Sequence, residues 1–146
     1  MAGSLVLINE TTISSAVASV ALSGIDSTFN VYKVVLNNVA PADDNKDLYL
    51  NYIKASDSSV DTTANYDFAS KGLYASASFQ NNSGANLNNQ KVMFARGNAT
   101  NEMSNCIIYL FNTFSSSEFS FNTVEAVGLN FSSQSYGEQG LSLIHI

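Results

Sequence analysis

The stretch that decides the fold is residues 29–54, FNVYKVVLNNVAPADDNKDLYLNYIK. Apolar and polar side chains alternate over residues 30–39 and again over residues 48–54. This period-two pattern, rich in β-branched and aromatic residues, predicts a β-strand in each segment. Pro41 stops the first strand, and the acidic residues 43–47 form the connecting loop. We therefore expect the first strand pair of a β-sandwich here.

Other segments with strand character follow at short intervals, and Asn, Ser, Asp and Gly between them are typical turn residues. These segments cover residues 4–8, 15–22, 66–79 with a bend at 70–72, 91–96, 106–112, 118–128 and a start at 129–136. A helix competes for residues 15–22, because alanine favours helices. Residues 80–89 are predicted to be a loop. The pattern predicts an all-β antiparallel β-sandwich, jelly-roll-like, with residues 1–140 as one domain.

Residues 106–112 form the most apolar segment of the chain. Both faces of this strand are expected to be buried, which predicts a central position in its sheet. Cys106, the only cysteine, is expected to be a small buried residue here, since free cysteine is among the most buried residue types.

The composition excludes several classes of partner. Only 12% of the 146 residues are charged, against a usual share of about 25%. The net charge is −6 and the six basic residues are scattered, so the chain has no basic patch for nucleic acid or an anionic membrane. No apolar run reaches the roughly 18 residues of a membrane helix. The apolar residues 17–22 lack a basic flank, so we predict no signal peptide.

The last six residues, LSLIHI, resemble one reading frame of a transposase adapter used in sequencing libraries. We expect residues 141–146 to be adapter-derived and residues 1–140 to be truncated at the C-terminus, so that the sheet lacks at least one strand. A genuine short apolar strand is the alternative. His145, the only histidine, lies in this tail.

Catalysis has little support in the residues. Without a histidine in residues 1–140 there is no Ser-His-Asp or Cys-His arrangement and no histidine metal site. No glycine-rich phosphate loop occurs. A carboxylate pair could still cleave a glycosidic bond, but most acidic residues fall in predicted loops. We predict a protein that is not an enzyme, with no catalytic, cofactor-binding or metal-binding residues.

Two features leave binding chemistry open. Asp43, Asp44 and Asp47 could offer oxygen ligands to calcium, yet the loop lacks EF-hand spacing and contains Lys46, so a solvated turn is the competing interpretation. Exposed tyrosines could stack on sugars, although a core or cross-strand role is the favoured interpretation for each. The candidates are Tyr49, Tyr66, Tyr74 and Tyr136.

Three blocks of sequence carry a resemblance to a known family. They are the opener SLVLINETTISSAVASVALSGIDSTFNVYKVVLNNVAP, the pair DLYLNYIKASD and ANYDFAS, and the strand NCIIYLFN. In this order, with the P-x-x-D loop at Pro41, the chain resembles β-sandwich structural proteins of tailed bacteriophages, especially marine ones known from metagenomes. Members of that family usually close with another apolar strand after the position of Phe131.

The resemblance implies a virion protein, made in the host cytoplasm, in a tail, tail fibre or other surface appendage. It implies homo-oligomers or contacts with other virion proteins, contact with a host-surface glycan or receptor, and no cofactor. The alternative is a carbohydrate- or receptor-binding β-sandwich module of cellular origin.

Overall fold

The computed structural model describes residues 5–115 and 118–144, and in these ranges the chain forms eight strands and no helix. The strands are β1 (Val31–Val39), β2 (Lys46–Leu50), β3 (Tyr66–Tyr74), β4 (Phe79–Leu87), β5 (Gln90–Arg96), β6 (Ser104–Phe111), β7 (Ser120–Leu129) and β8 (Ser135–Ile144). The predicted all-β class is confirmed. The described residues include no helix that is both long and apolar enough to cross a membrane.

The strands form two antiparallel layers of unequal size. The large sheet has the strand order β1-β6-β7-β8-β3-β4, and the small sheet pairs β2 with β5. β5 packs against β7, β3 and β8, so the small sheet covers one face of the large sheet. We call that covered side the inner face and the opposite side the outer face.

The apolar core lies between the small sheet and the inner face. Side chains alternate sharply along β6, where Ile108 is buried and Ile107 points outward. The buried cluster consists of Tyr32, Val92, Met93, Cys106, Ile108, Leu110, Val124 and Ala126. β6 is an interior strand, as predicted, but the expectation that both its faces are buried is wrong, because no second layer of described residues covers the outer face.

The two strands of residues 29–54 lie in different sheets. β1 pairs with β6, whereas β2 pairs with β5 and spans only Lys46–Leu50 instead of residues 48–54. The proline-marked loop therefore carries the chain from one layer to the other. Lys46 and Asp47 belong to β2 because the ladder with β5 begins at Lys46, opposite Arg96.

The structure of residues 66–89 differs from two predictions. β3 is continuous from Tyr66 to Tyr74, without the bend predicted at residues 70–72, and residues 79–87 form β4 in place of the predicted loop. Gly72 allows close approach of a neighbouring ring, since a Cβ there would lie 2.5 Å from Tyr136 Oη. The Asn- and Ser-rich β4 is tolerated because it is an edge strand with few buried positions.

The N-terminal predictions are also wrong. No strand forms within residues 5–30, although strands were predicted at residues 4–8 and 15–22; Ser4 itself lies outside the described residues. Every residue from 5 to 24 is exposed, and none makes a backbone–backbone hydrogen bond with another described residue. A strand pattern yields a strand only where a second strand pairs with it, and here none does.

The last strand begins later than predicted, at Ser135, and runs to Ile144. Residues 130–134 form a turn, in which the Asn130 Oδ1 accepts hydrogen bonds from the backbone N–H groups of Ser132 and Gln134 at 3.0 and 2.9 Å. Residues 141–144 belong to β8 and are paired with both β3 and β7. Their adapter origin stays a prediction, and His145 and Ile146 lie outside the described residues.

Candidate functional site

The outer face of the large sheet is an exposed surface with a high share of apolar side chains. Alternation along each strand places one set of residues on it, and the cross-strand register aligns them in rows. The exposed large apolar residues of this face are Val31, Val35, Leu73, Phe79, Tyr109, Phe121, Val127 and Leu141. It is the main exposed sheet surface that no other described layer covers.

Two rows concentrate the apolar side chains at opposite ends of the strands. One row runs through Val31, Phe111, Phe121 and Leu143 across four strands. The row at the other end includes Val127, Leu73 and Phe79, the last of which is 68% exposed. Aromatic and β-branched neighbours within a row stabilise the sheet, but their outward surfaces still face water.

The middle of the outer face is polar. Glu125, Gln139, Lys71 and Asn81 form one register row. A shallow depression of about 520 Å³ lies here, lined by residues of β3, β4, β7 and β8. Lys71 Nζ lies 5.1 Å from the centre of the Phe79 ring, so a cation caps part of the apolar row.

The exposed apolar side chains of the outer face add up to a large area. At roughly 150–200 Å² for each fully exposed large residue, the eight side chains leave on the order of 700 Å² in water. This area is divided between two rows on either side of the polar middle, so each row is comparable to the largest contiguous apolar patch of a typical soluble monomer, about 300–600 Å², which is often functional. Each partner in a standard protein interface contributes about 800 Å². The outer face therefore has the size and chemistry of an interface.

The most deeply buried charged side chains lie on the inner face of the same sheet. Arg96 Nη2 donates to Glu138 Oε2 at 2.9 Å, and both side chains are 2% exposed. The Phe94 N–H donates to the same carboxylate oxygen at 3.0 Å, and the guanidinium lies 5.0 Å from the centre of the Tyr136 ring. Among the described residues, Arg96 Nε and Glu138 Oε1 have no hydrogen-bond partner.

Burial governs the protonation of this pair. Desolvation raises the pKa of Glu138 to about 7, although Arg96 acts in the opposite direction, and desolvation lowers the pKa of Arg96. A carboxyl group with a pKa near 7 suits general acid–base chemistry. However, the adjoining cavity of about 10 Å³ barely holds one water molecule, so no substrate reaches the group.

A second buried polar pair joins the layers at the other end of β5. Gln90 and Asn122 exchange two side-chain hydrogen bonds of 2.8 and 2.6 Å. Gln90 and Arg96 are the first and last residues of β5, and apolar Val92 and Met93 lie between them. The two polar pairs thus fix the position of β5 on the large sheet, which is a structural role.

The acidic loop does not assemble its three aspartates into one site. Asp47 accepts the Ala95 N–H at 2.8 Å through Oδ1, and its Oδ2 pairs with Lys91 Nζ at 2.7 Å. Asp43 and Asp44 are exposed, and Asp43 has a weak contact of 3.9 Å with Lys46. No group of three or more His, Cys, Asp or Glu side chains able to hold a metal occurs in the described ranges.

Three of the four candidate sugar-stacking tyrosines are buried or packed against another ring. Tyr66 and Tyr136 are buried at 0% and 1% exposure, and Tyr74 packs on Tyr136 with ring centres 4.4 Å apart. Only Tyr49 is exposed, beside Lys91. A stacking platform built from these four residues is excluded, and the core or cross-strand interpretation holds for three of them.

Cys106 is confirmed as a buried residue. It is 2% exposed, and desolvation raises the pKa of its thiol to about 12. A thiol with so high a pKa is a poor nucleophile.

Sequence reasoning missed the outer face and the Arg96–Glu138 pair. The sequence did contain a signal for the outer face, because residues 106–112 are apolar on both faces of the strand. Since the small sheet covers only the inner face, the other apolar face is left in water. For the second, Arg96 directly follows the apolar run of residues 92–95, but its partner Glu138 lies 42 residues away in the chain. Comparisons with protein-family models, curated proteins and solved structures find no match.

Proposed function

We propose that the protein is a non-enzymatic structural building block of a tailed-phage virion, in a tail, fibre or surface appendage, and that copies of the chain associate through the outer face. The observation that carries the proposal is the apolar outer face itself. Its exposed area is close to what one partner contributes to a standard interface.

Several physical features support association with like copies. The face is built on the regular strands of the large sheet, which gives it a fixed shape. Its charges are few, and the two lysines Lys33 and Lys71 are balanced by Glu125 and Asp67, so a second copy of the same face meets no strong repulsion. A surface that pairs with itself produces a closed two-fold dimer.

The chemistry of the buried residues supports a non-enzymatic role. The one carboxyl group with a strongly raised pKa, Glu138, is enclosed and paired with Arg96. The thiol of Cys106 is buried. The phage assignment is supported by the resemblance of the segments around Pro41 and of residues 105–112 to phage β-sandwich proteins.

The association is tested by measuring the mass of the full chain by light scattering after gel filtration across a range of concentrations. Wild type is expected to be oligomeric, and Val127→Asp, which places a charge in an apolar row of the outer face, is expected to be monomeric. Val60→Asp is the matched control, since Val60 and Val127 are 52% and 57% exposed. A wild-type monomer at all concentrations would overturn the proposal.

The phage origin is tested separately by the genes that adjoin this one on its contig. Portal, terminase or tail genes beside it support the assignment. A bacterial operon for cell-wall or glycan use contradicts it.

Glycan binding is the second candidate, favoured by the polar depression on the outer face. Its lining includes Asn81, Thr123 and Gln139, whose amide and hydroxyl groups suit sugar hydroxyls. A glycan array with wild type and Asn81→Ala/Gln139→Ala tests it, with Asn105→Ala as an exposed outer-face control outside the depression. Binding lost only in the double variant supports this candidate, and no binding by wild type rejects it.

A further inference from the structure

We infer that residues 13–22 of one copy add as a strand to the unpaired edge of β1 in a second copy. This inference rests on the proposed function, because it specifies how two copies are joined. We call residues 5–24 the arm. The observations that carry it are the exposure of the arm, its strand-like sequence, and the open apolar edge of β1.

The arm exposes apolar side chains and backbone groups that have no backbone partner among the described residues. Its large apolar side chains are all exposed, including Leu5 at 85% and Leu7 at 77% exposure, and Glu10 is its only charged residue. Its backbone makes no backbone–backbone hydrogen bond with another described residue. Exposed apolar side chains together with unpaired backbone groups suit a segment that pairs with another chain.

The pattern within the arm is that of a strand. In residues 13–22, Val20 and Leu22 fall on one side of an extended chain and Val17 falls on the other. The remaining positions are mainly alanine and serine, which allow close approach to a neighbouring strand. The sequence thus encodes a strand for which the single chain supplies no partner.

β1 offers the matching edge. It ends the large sheet, and β6 is its only hydrogen-bonded neighbour among the described strands. The edge sequence VYKVVLNNV has one charge, Lys33, and its register with β6 stays regular from Val31 to Leu36. Such an edge is a template for another chain, because its unpaired N–H and C=O groups accept an added strand.

The opposite edge of the sheet is a poorer template. β4 has the sequence FQNNSGANL, in which polar residues and a glycine dominate. Gly84 weakens strand propensity there. The inference therefore assigns the arm to β1 and not to β4. A position on β4 can serve as the negative control in a cross-linking experiment.

The structure favours a second copy over the same chain as acceptor. The hinge between the arm and β1 is held at Asp26, whose backbone C=O accepts the Tyr32 hydroxyl at 2.6 Å and whose N–H donates to it at 3.0 Å. Ile25 packs against the core. Beyond these contacts the arm is exposed to solvent and is not paired with its own β1. Exchange of arms between two copies satisfies both edges at once.

The first test uses proline, which removes a backbone donor needed for strand addition. Val20→Pro is expected to weaken self-association roughly tenfold, the effect of losing one to two net backbone hydrogen bonds. Val20→Thr keeps the N–H and the branched Cβ and is expected to associate like wild type. Equal association of both variants would overturn the inference.

The second test locates the arm by cross-linking full-length chains. A size-tagged Val17→Cys chain is mixed with a Val35→Cys chain and treated with a short bismaleimide. Cys106 stays unmodified because it is buried. A cross-linked pair of the two different chains is expected, and an Asn81→Cys acceptor on β4 is expected to give none.

The outcomes separate this inference from the proposed function. Oligomeric wild type without the Val17–Val35 cross-link, or with an equal cross-link to position 81, overturns arm exchange and leaves assembly through the outer face standing. A wild type that stays monomeric at every concentration overturns the proposed function as well.

Discussion

The two faces of the large sheet are built from the same strands, yet they differ in chemistry and in surroundings. The inner face carries apolar residues beside buried polar pairs, and the small sheet covers it. The outer face carries aromatic and β-branched residues that are exposed to solvent. The difference teaches that apolar character alone does not mark the core here. A residue is part of the core only where a second layer exists.

The largest expected effect comes from the buried ion pair of the inner face. Arg96→Met leaves Glu138 without its cation, and removal of one partner of a buried pair costs about 3–5 kcal/mol. Urea unfolding at pH 8 measures the loss. The double variant Arg96→Met/Glu138→Leu is the control, and it should recover most of the stability. A single variant as stable as wild type would show that the pair does not hold the layers together.

A neighbouring pair of isoleucines compares the two faces directly. Ile108→Ala should lower the free energy of unfolding by about 2–4 kcal/mol, because it opens a cavity in the core. Ile107→Ala removes the same atoms from the outer face and should cost less than about 1 kcal/mol in dilute protein. Chemical denaturation of both variants checks the difference. Equal losses would mean that the outer face is already covered in the monomer.

The pH dependence of stability reports on Glu138. Its pKa is about 7 in the folded chain and 4.5 as the ordinary value, so the folded state binds more protons between these limits. The contribution of this group is full below about pH 4.5 and is lost as pH rises through about 7, a change on the order of 3 kcal/mol. Denaturation of wild type and Glu138→Gln over this range measures it as the difference between two curves. Wild type should lose stability relative to Glu138→Gln as the pH rises through about 7. A gain of stability by wild type relative to the variant over this range would contradict the assigned direction.

The smallest expected effect is on the outer face in the monomer. Val127→Asp should lower the free energy of unfolding by no more than about 1 kcal/mol in dilute solution, since Val127 is exposed and the loss is mainly one of strand propensity. Thermal or urea unfolding at low concentration measures this. A loss of several kcal/mol would mean that Val127 contributes to folding, and the loss of oligomers in this variant would then reflect misfolding.

Much of the fold follows from local sequence. β1 and β7 alternate, whereas β5 and β6 contain continuous apolar runs, and all four are flanked by turns with Gly, Asn or Ser, so the sequence predicts them close to their bounds. The all-β class follows from the same patterns.

The errors share one physical cause, which is that strand pairing is not local. Residues 15–22 alternate like a strand but find no described partner, whereas the polar residues 79–87 become a strand because β3 pairs with them. The turn at residues 130–134 depends on the Asn130 side chain, which composition alone does not single out.

The candidate site was less predictable than the fold. Which face of an alternating strand is covered depends on the number of strands in the second layer, and here that layer has two. The acidic loop and the tyrosines drew attention because of their residue types. Asp47 proved to be engaged with Lys91, and Tyr66 and Tyr136 proved to be buried.

Covalent footprinting of side chains as a function of protein concentration tests the central claim most directly. Mass spectrometry would follow labelling of Phe79, Phe121 and Val127 on the outer face, with Phe131 as a reference that is similarly exposed elsewhere. The account predicts that labelling of the three outer-face residues falls as the protein associates, while Phe131 stays constant. Unchanged labelling of the outer face in an associated sample would contradict it.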